Sequence, residues 1–550
     1  MTKPVRWSEE MINDYITRGY WDDTTLYDLW ERNARAFPER EAIADSRLCL
    51  TWAEAKQWID RLALGFVELG LKKDDVIVIQ IPNSVEQTLL RVACEKAGIV
   101  SVPALRSLRH TEMEYILRYC DAVGIAIPWE VRDFNYYRMI QEVRPRLPRL
   151  QHLFVVGEKV PEGTHSFMEM VKRPIEKSYP PNYLQNLGLP SIETSLVLLT
   201  TGTTGLPKFV EYAACHRIWQ WKMNAKHLVI TGDDVFALIT PHCGGIALPA
   251  FFGSPLVGAK LVILDSPDME DAFRLIEKER VTFACVVPTQ LAMMVEHPRC
   301  QQYDLSSMRL WWCTGAALPY DVGRAVEEKL GGKVVPLIGA TDWGCECLNL
   351  PSVPQPIRFK TVGKPIDGSE IKLVADDGTE VPPGEVGEIW GRGPTAVSGY
   401  FKDPESTREV WTGDGWYMSG DLGMLDEMGN LVVVGRKKDM IIRGGQNIYP
   451  IEIENLLRKH PKISEVAVVG MPDPLMGQRA CAFVAPHPGQ GFSFDEMISF
   501  LRERNIASFK LPERLELIKE IPMLGAGQKV DKKLLVTLIA EKLKAEGKIK

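Results

Sequence analysis

Apolar positions along the first 350 residues follow two alternating rhythms. Ala55, Ile59, Leu62, Phe66 and Leu69 fall at three- and four-residue spacing, the period of a helix with one buried face. Thr51-Trp-Ala-Glu54 opens this run and Gly70 follows it. A hydroxyl and a carboxylate three residues apart cap a helix start, and glycine favours its stop. Val76–Ile79 is instead an unbroken apolar run ended by Pro82-Asn83, the pattern of a buried strand. A helix pattern over 85–97 comes next, then Gly98 and an apolar run at 99–102. The alternation continues with strands at 195–199, 261–264 and 283–287 and a helix at 272–278. Such alternation predicts layered α/β structure with mainly parallel sheets.

Beyond about residue 360 the rhythm shortens. Turn signals at Asp376-Asp-Gly378, Pro382-Pro-Gly384, Gly413-Asp-Gly415 and Met428-Gly-Asn430 separate brief strand patterns at 388–390 and 431–434. They predict a β-rich subdomain. A charged run, Arg436-Lys-Lys-Asp439, and a glycine turn, Arg443-Gly-Gly-Gln446, follow. Patterns at 451–457, 466–469, 482–484 and 494–504 then predict a compact α+β unit of usual domain size. The expected division is a large domain over 1–437 and a small, mobile one over 438–550. There is no internal repeat and no low-complexity tract.

The 550 residues exceed one ordinary domain. With 45% apolar and 25% charged residues, the chain is neither disordered nor collagen-like. The 72 acidic and 65 basic residues give a net charge of −7, which offers nucleic acid no general footing. The eleven cysteines include no CxxC and predict reduced thiols in a cytoplasmic protein. The N-terminus lacks the apolar core of a signal peptide. The longest uncharged, apolar-rich stretch, 244–259, contains Pro249 and Pro255. It falls short of a membrane span and predicts buried helix and turn.

The first candidate chemistry follows the 195–199 strand: Thr200-Thr-Gly-Thr-Thr-Gly-Leu-Pro-Lys208. Glycines let backbone amides approach an anion, hydroxyls add donors, and Lys208 adds charge. The spacing is not that of a P-loop. A short part of it reads equally as an ordinary loop, but the full string resembles the signature of the AMP-forming acyl/aryl ligase superfamily. That superfamily includes acyl-CoA synthetases, stand-alone aryl adenylating enzymes, peptide-synthetase adenylation domains and luciferases. Thr201 stands where Ser is usual and keeps the hydroxyl; Phe209 stands where Gly is usual.

Other segments match in the family's order. Thr314-Gly-Ala-Ala-Leu-Pro319 resembles the segment that lies along adenine. Gly339-Ala-Thr-Asp342 resembles the GxTE motif, with Asp342 for Glu and Ile338 in place of the preceding aromatic. Ser419-Gly-Asp421 resembles the ribose-binding motif, and a carboxylate suits a cis-diol because it can accept two hydrogen bonds. Gly435-Arg-Lys-Lys-Asp439 resembles the hinge, and Gln528-Lys-Val-Asp-Lys-Lys533 the segment with the catalytic lysine. The stretch from Pro522 to Lys529 is one residue longer than usual, and Gln528 replaces a Gly. Singly, each motif has an ordinary structural reading; together they span residues 51 to 533.

The resemblance implies a set of roles. Thr200, Thr201, Gly202, Thr203, Thr204, Gly205, Lys208, Gly315, Ala316, Ala317, Gly339, Ala340, Thr341, Asp342, Asp421 and Arg436 would bind ATP or AMP. Asp342 would help hold Mg²⁺, and Lys529, Thr341 and His242 would be catalytic. Lys438 would be the hinge, and Gly444 and Gly445 would line the tunnel for coenzyme A. His242, Cys243, Gly244, Trp343 and Cys345 would form the acyl pocket; Phe236 reads more readily as core. The N-terminal half looks most like 2,3-dihydroxybenzoate ligases, through Gly19-Tyr-Trp21, Pro82-Asn83 and Phe134-Asn-Tyr136. Those enzymes carry His-Asn where this chain has His242-Cys243. A thiol is a weak donor, so the preference for a hydroxylated ring should be lost.

The implied activity is an AMP-forming carboxylate–coenzyme A ligase using ATP and Mg²⁺. Its substrate would be an aromatic, alicyclic or short-chain acid, and it would be a monomer or homodimer. Two alternatives stand: an aryl adenylating enzyme loading a carrier-protein pantetheine, and a non-catalytic sensor of acyl-adenylate.

Overall fold

The computed structural model describes residues 6–132, 134–200, 207–266, 268–344, 347–524 and 529–549. Two twisted sheets dominate the large domain. One has seven strands, with parallel neighbours Val100–Pro103, Val76–Ile79, Gly124–Pro128 and His152–Val156 at its centre. The other has nine, with Lys333–Ile338, Leu310–Cys313, Phe283–Val286, Val235–Leu238 and Lys260–Ile263 side by side and parallel. The expected α/β layers are thus observed.

Helix Trp52–Glu68 has both halves of the predicted capping box, with the Thr51 hydroxyl accepting from the Glu54 amide and the Glu54 carboxylate from Thr51. This helix and Val85–Lys96 lie between the two sheets, in a core shared by Ile77, Ile79 and Leu196 of one and Phe236, Leu238 and Leu310 of the other. Helix Val85–Lys96 shows the consequence: it is buried from Val85 through Glu95, with no solvent face. Its polar residues must find partners inside.

Glu95 on this helix accepts from the Tyr27 amide at 3.0 Å, yet burial pushes its carboxyl up to about 7. The folded protein therefore holds a proton between about pH 4.5 and 7 that the unfolded chain releases. The associated stability is complete below that window and lost above it. We expect Glu95→Gln to remove this loss, ~3 kcal/mol at full ionisation. Melting temperatures of wild type and variant at pH 5 and pH 8 check it; parallel shifts would count against a buried ionisable Glu95.

An antiparallel sheet of Glu370–Val374, Gly387–Arg392, Tyr417–Leu425 and Leu431–Arg436 supplies the predicted β-rich subdomain. One turn, Lys437–Asp439, then leads into a five-stranded sheet that starts with Ile441–Arg443. Helices Pro450–Leu457 and Phe494–Arg502 contribute to the apolar core on one side of this sheet, and Lys532–Ala545 to that on the other. The 244–259 stretch becomes a 3₁₀ turn, a π-type turn at Pro249–Gly253 and the short helix Ser254–Val257. Among the described residues no helix is long and apolar enough to cross a membrane. The ten described cysteines are free thiols, most of them buried.

Candidate active site

The strands Val235–Leu238, Phe283–Val286, Leu310–Cys313 and Lys333–Ile338 all end at one edge of the nine-stranded sheet. Crevices for ligands open at this carboxyl edge of parallel strands. Here the loops carry His242 to Gly245, Gly315 to Ala317 and Gly339 to Asp342. Thr314 anchors its loop by donating its amide to Val286 O at 3.2 Å and its hydroxyl to Leu337 O at 3.3 Å. Gly315 then turns through φ +93°, a region that favours glycine, and leaves Gly315, Ala316 and Ala317 exposed.

In the neighbouring loop the Tyr212 hydroxyl donates to Thr341 O. A Cβ on Gly245 would lie 3.1 Å from the Thr341 hydroxyl, so bare backbone keeps that oxygen open. The Tyr400 hydroxyl donates to Asp342 Oδ2 at 2.8 Å. Burial and then the Asp342 charge hold the hydroxyls of Tyr400 and Tyr417 protonated. The Lys208 ammonium lies 4.4 Å over the Tyr400 ring, a cation–π contact. Lys208 closes the base of its loop, accepting from the Thr200 amide at 2.9 Å. Thr201, Gly202, Thr203, Thr204, Gly205 and Cys345 lie outside the described residues.

Asp421 and Arg436 face each other across adjacent strands, with Arg436 Nε 2.9 Å from Asp421 Oδ1. Burial raises the Asp421 carboxyl, while Arg436 and Lys529 oppose the rise. Lys529 begins the short strand Lys529–Val530, paired with Met523–Leu524. Its ammonium is held below the ordinary lysine range by desolvation against the cleft wall and then by Arg436, against the pull of Asp421 and Asp342. The residue keeps an exposed surface, so the cleft is open rather than sealed. Lys532, by contrast, is bound to the buried Glu454 at 2.7 Å.

Lys438 lies in the single turn between the two sheets, and burial followed by Arg436 lowers its pKa. Gly444 and Gly445, at φ +55° and +82°, form the two-residue turn between Ile441–Arg443 and Gln446–Ile448. That turn demands positive φ at both positions and by itself accounts for both glycines. A Cβ on Gly445 would meet nothing within 4 Å, so this backbone is open to approach.

At the candidate acyl pocket the His242 amide donates to Asn83 Oδ1 at 2.9 Å, and its Nε2 lies 3.1 Å from the Thr88 hydroxyl. Burial and then Arg91 push the imidazole well below its usual pKa, so it is neutral. Burial drives the Cys243 thiol up to about 12. Gly244 is half-buried. Trp343 is fully buried, stacked on Tyr417, and a Cβ on Gly391 would come within 2.3 Å of its indole. Phe236 packs on Phe283 as core. Phe209, unusual in its motif, stacks on Tyr119 with ring centroids 4.2 Å apart and points away from the loop chemistry.

Asn83, Thr88, Arg91, Tyr212, Tyr400 and Tyr417 hold these groups; sequence reading named Asn83 only as part of a strand end and a family match, and did not single out the other five. For Thr88 and Arg91 the available signal was polar residues on a helix flanked by two buried strands. Among the described residues no three His, Cys, Asp or Glu side chains could hold a metal together. Asp342 alone suits an Mg²⁺ ion whose other ligands are phosphate oxygens and water.

Comparison with known proteins follows the same lines. Residues 30–401 match the AMP-binding enzyme family, and residues 452–528 match the AMP-binding enzyme C-terminal domain. The chain is 32% identical over 546 residues to the 2,3-dihydroxybenzoate-AMP ligase of Bacillus subtilis (strain 168), covering 98% of each. It is 31% identical to the medium-chain fatty-acid–CoA ligase of Escherichia coli (strain K12), covering 97% of this chain and 94% of that one. The fold matches the crystal structure of the anthranilate CoA ligase AuaEII in complex with anthranoyl-AMP, with TM-score 0.85, 26% identity and coverage of 95% and 98%. With one match spanning most of the large domain and a second in the small one, the chain belongs to the AMP-binding enzyme family and is an adenylate-forming, AMP-forming acid–thiol ligase.

Proposed function

We propose that the protein activates an aromatic, alicyclic or short-chain carboxylic acid with ATP and passes the acyl group to coenzyme A. The observation that carries this reading is the convergence of Lys529, from the small domain, with Asp421, Arg436 and Asp342 of the large one. The substrate carboxylate attacks the α-phosphorus of ATP in line, and the bond to pyrophosphate breaks. Two anions must meet, so catalysis is mainly positioning and charge stabilisation. Lys529 and Lys208 supply positive charge, Thr341 an open hydroxyl, and Asp421 a carboxylate for the ribose diol. Asp342 would carry Mg²⁺, whose charge offsets that of the phosphates when bound. A thiol then attacks the acyl carbon, the bond to AMP breaks, and the thiol proton passes to solvent.

For the second step the small domain pivots at Lys438 and turns the Gly444-Gly445 hairpin toward the cleft. The open backbone at Gly445 supports passage of a narrow pantetheine arm. Domain limits of 1–437 and 438–550 follow from this pivot. The free cysteines agree with a reducing cytoplasm, and the enzyme acts there as a monomer or homodimer.

The test is acid-dependent exchange of pyrophosphate into ATP, followed by AMP release on adding coenzyme A. Exchange without that AMP release would favour a carrier-protein acceptor, and no exchange with any acid would favour a sensor. Cys243 sets a further expectation: exchange should run faster with benzoate or cyclohexanecarboxylate than with salicylate. Cys243→Asn should raise relative activity on 2-hydroxylated acids by roughly tenfold, the worth of one regained hydrogen bond. A wild-type preference for salicylate, or no gain in the variant, would show that Cys243 does not line the pocket.

A further inference from the structure

Arg91 sits within the helix between the two sheets, and only 2% of its surface reaches solvent. Burial lowers its pKa to about 9, so the guanidinium stays charged at neutral pH. A buried charge is costly unless it is paired and hydrogen-bonded. Arg91 meets neither condition fully. Its Nη1 donates to His242 O at 3.3 Å, and its plane lies 3.6 Å over the Phe251 ring. Among the described residues its Nε and Nη2 have no hydrogen-bond partner. The groups that act on its charge are the thiols of Cys243 and Cys94, both held neutral by burial.

The acids of the same helix are committed elsewhere. Glu86 takes Arg47 through both oxygens, at 2.9 and 2.8 Å. Glu95 accepts the Tyr27 amide. Another deeply buried arginine shows what a structural one looks like here: Arg358 donates to Val334 O at 2.8 Å, to Val353 O and to the Glu327 carboxylate. Beside Arg91, His242 Nδ1 is also buried without a partner among the described residues. In the tautomer with Thr88 donating to Nε2, Nδ1 carries a proton and becomes another donor. Phe251, which seats the guanidinium, is presented by the π-type turn Pro249–Gly253, a feature frequent at functional sites.

We propose that Arg91 is a specificity residue, and that the acyl pocket takes a dicarboxylic acid whose second carboxylate docks on its Nε and Nη2. The unpartnered edge offers two parallel N–H groups, the geometry that grips a carboxylate through both oxygens. The reacting carboxylate stays at the Thr341 end. The substrate is then an aromatic, alicyclic or short-chain diacid without a 2-hydroxyl. This inference rests on the ligase reading above and narrows its substrate class.

The experiment uses the full chain and scaffold-matched pairs, each diacid being the monoacid with one added carboxylate: benzoate and isophthalate, cyclohexanecarboxylate and its 1,3-dicarboxylate, butyrate and glutarate. Pyrophosphate exchange gives kcat/KM, and calorimetry gives binding without turnover. Wild type should prefer the diacid in at least one pair. Arg91→Met should cut kcat/KM for that diacid roughly 10- to 10²-fold, chiefly through KM, and reverse the preference. Arg91→Lys should recover part of the diacid binding. A wild-type preference for the monoacid in every pair overturns the proposal, as does an equal loss on both acids in Arg91→Met. Should that variant not fold, the wild-type preference and Arg91→Lys still decide. Absence of exchange with every acid would overturn the ligase reading, while calorimetry would still judge Arg91.

Discussion

Replacing Lys529 with alanine is expected to slow acyl-adenylate formation by a factor on the order of 10²–10³, while thiol attack on supplied acyl-AMP stays nearly unchanged. The first half-reaction brings a carboxylate to a triphosphate, so a cation at the meeting point acts mainly on that transition state. Lys529 has the position for this, coupled to Arg436, Asp421 and Asp342 in one cleft. The second half-reaction starts from an activated mixed anhydride, and on the proposed pivot the small domain would then be turned away. Lys532 and Lys533 are the controls. Lys532 is tied to Glu454, so Lys532→Ala should lower the melting temperature of the small domain rather than stop adenylation. Pyrophosphate exchange and single-turnover thioester formation, measured separately, decide the matter. Equal slowing of both steps in Lys529→Ala would refute the two-face account. Adenylation lost in Lys532→Ala or Lys533→Ala but kept in Lys529→Ala would move the catalytic lysine.

Lys438→Pro should show the opposite split: adenylation retained, and thioester formation reduced by a factor on the order of 10². In the structure Lys438 occupies one 3₁₀ turn, Lys437–Asp439, whose φ range includes the value that proline fixes. The φ that proline needs is therefore compatible with this turn, and retained adenylation is the expected sign that Lys437 adjusts. A pivot needs the backbone to visit a second state, and proline restricts both its own φ and the residue before it. Lys437 adds resistance, because its ammonium bridges Asp376 at 2.7 Å and Glu388 at 3.2 Å. The same two assays read the outcome, with a circular-dichroism melt to show that the variant is folded. A matched loss in both half-reactions of a folded variant would argue against a pivot at this position.

Much of the architecture and the outline of the site were legible along the chain because their causes are local. Helix Trp52–Glu68 was fixed by a cap, a period and a stop within twenty residues, and the strand Val76–Ile79 by an unbroken apolar run. Many of the motif residues were legible for a related reason: Lys208, Gly315 to Ala317 and Gly339 to Asp342 each lie in a loop that follows one strand. The pair Asp421 and Arg436 marks the limit. Both were named from motifs, but their ion pair arises from cross-strand register fifteen residues apart. The assignment of Lys529 over Lys532 rested on motif resemblance, and the ion pair that ties Lys532 to Glu454 came only with the structure.

What only the tertiary structure decided concerns groups whose meaning depends on what surrounds them. Asn83 clamps the His242 loop from 159 positions away, and Tyr400 reaches Asp342 across 58. No period or spacing encodes such contacts. Phe209 was an unexplained departure until Tyr119 was found beneath it. Arg91 is the clearest case. In the sequence it is one arginine within a helix pattern, where an arginine ordinarily faces water. Two sheets close over that helix, and the same side chain becomes a buried cation whose Nε and Nη2 find no partner among the described residues. The sequence by itself determined which elements form and which loops carry chemistry, because backbone propensity and motif spacing are short-range. Burial decided which charges have partners among the described residues and which do not, because desolvation is set by the whole fold.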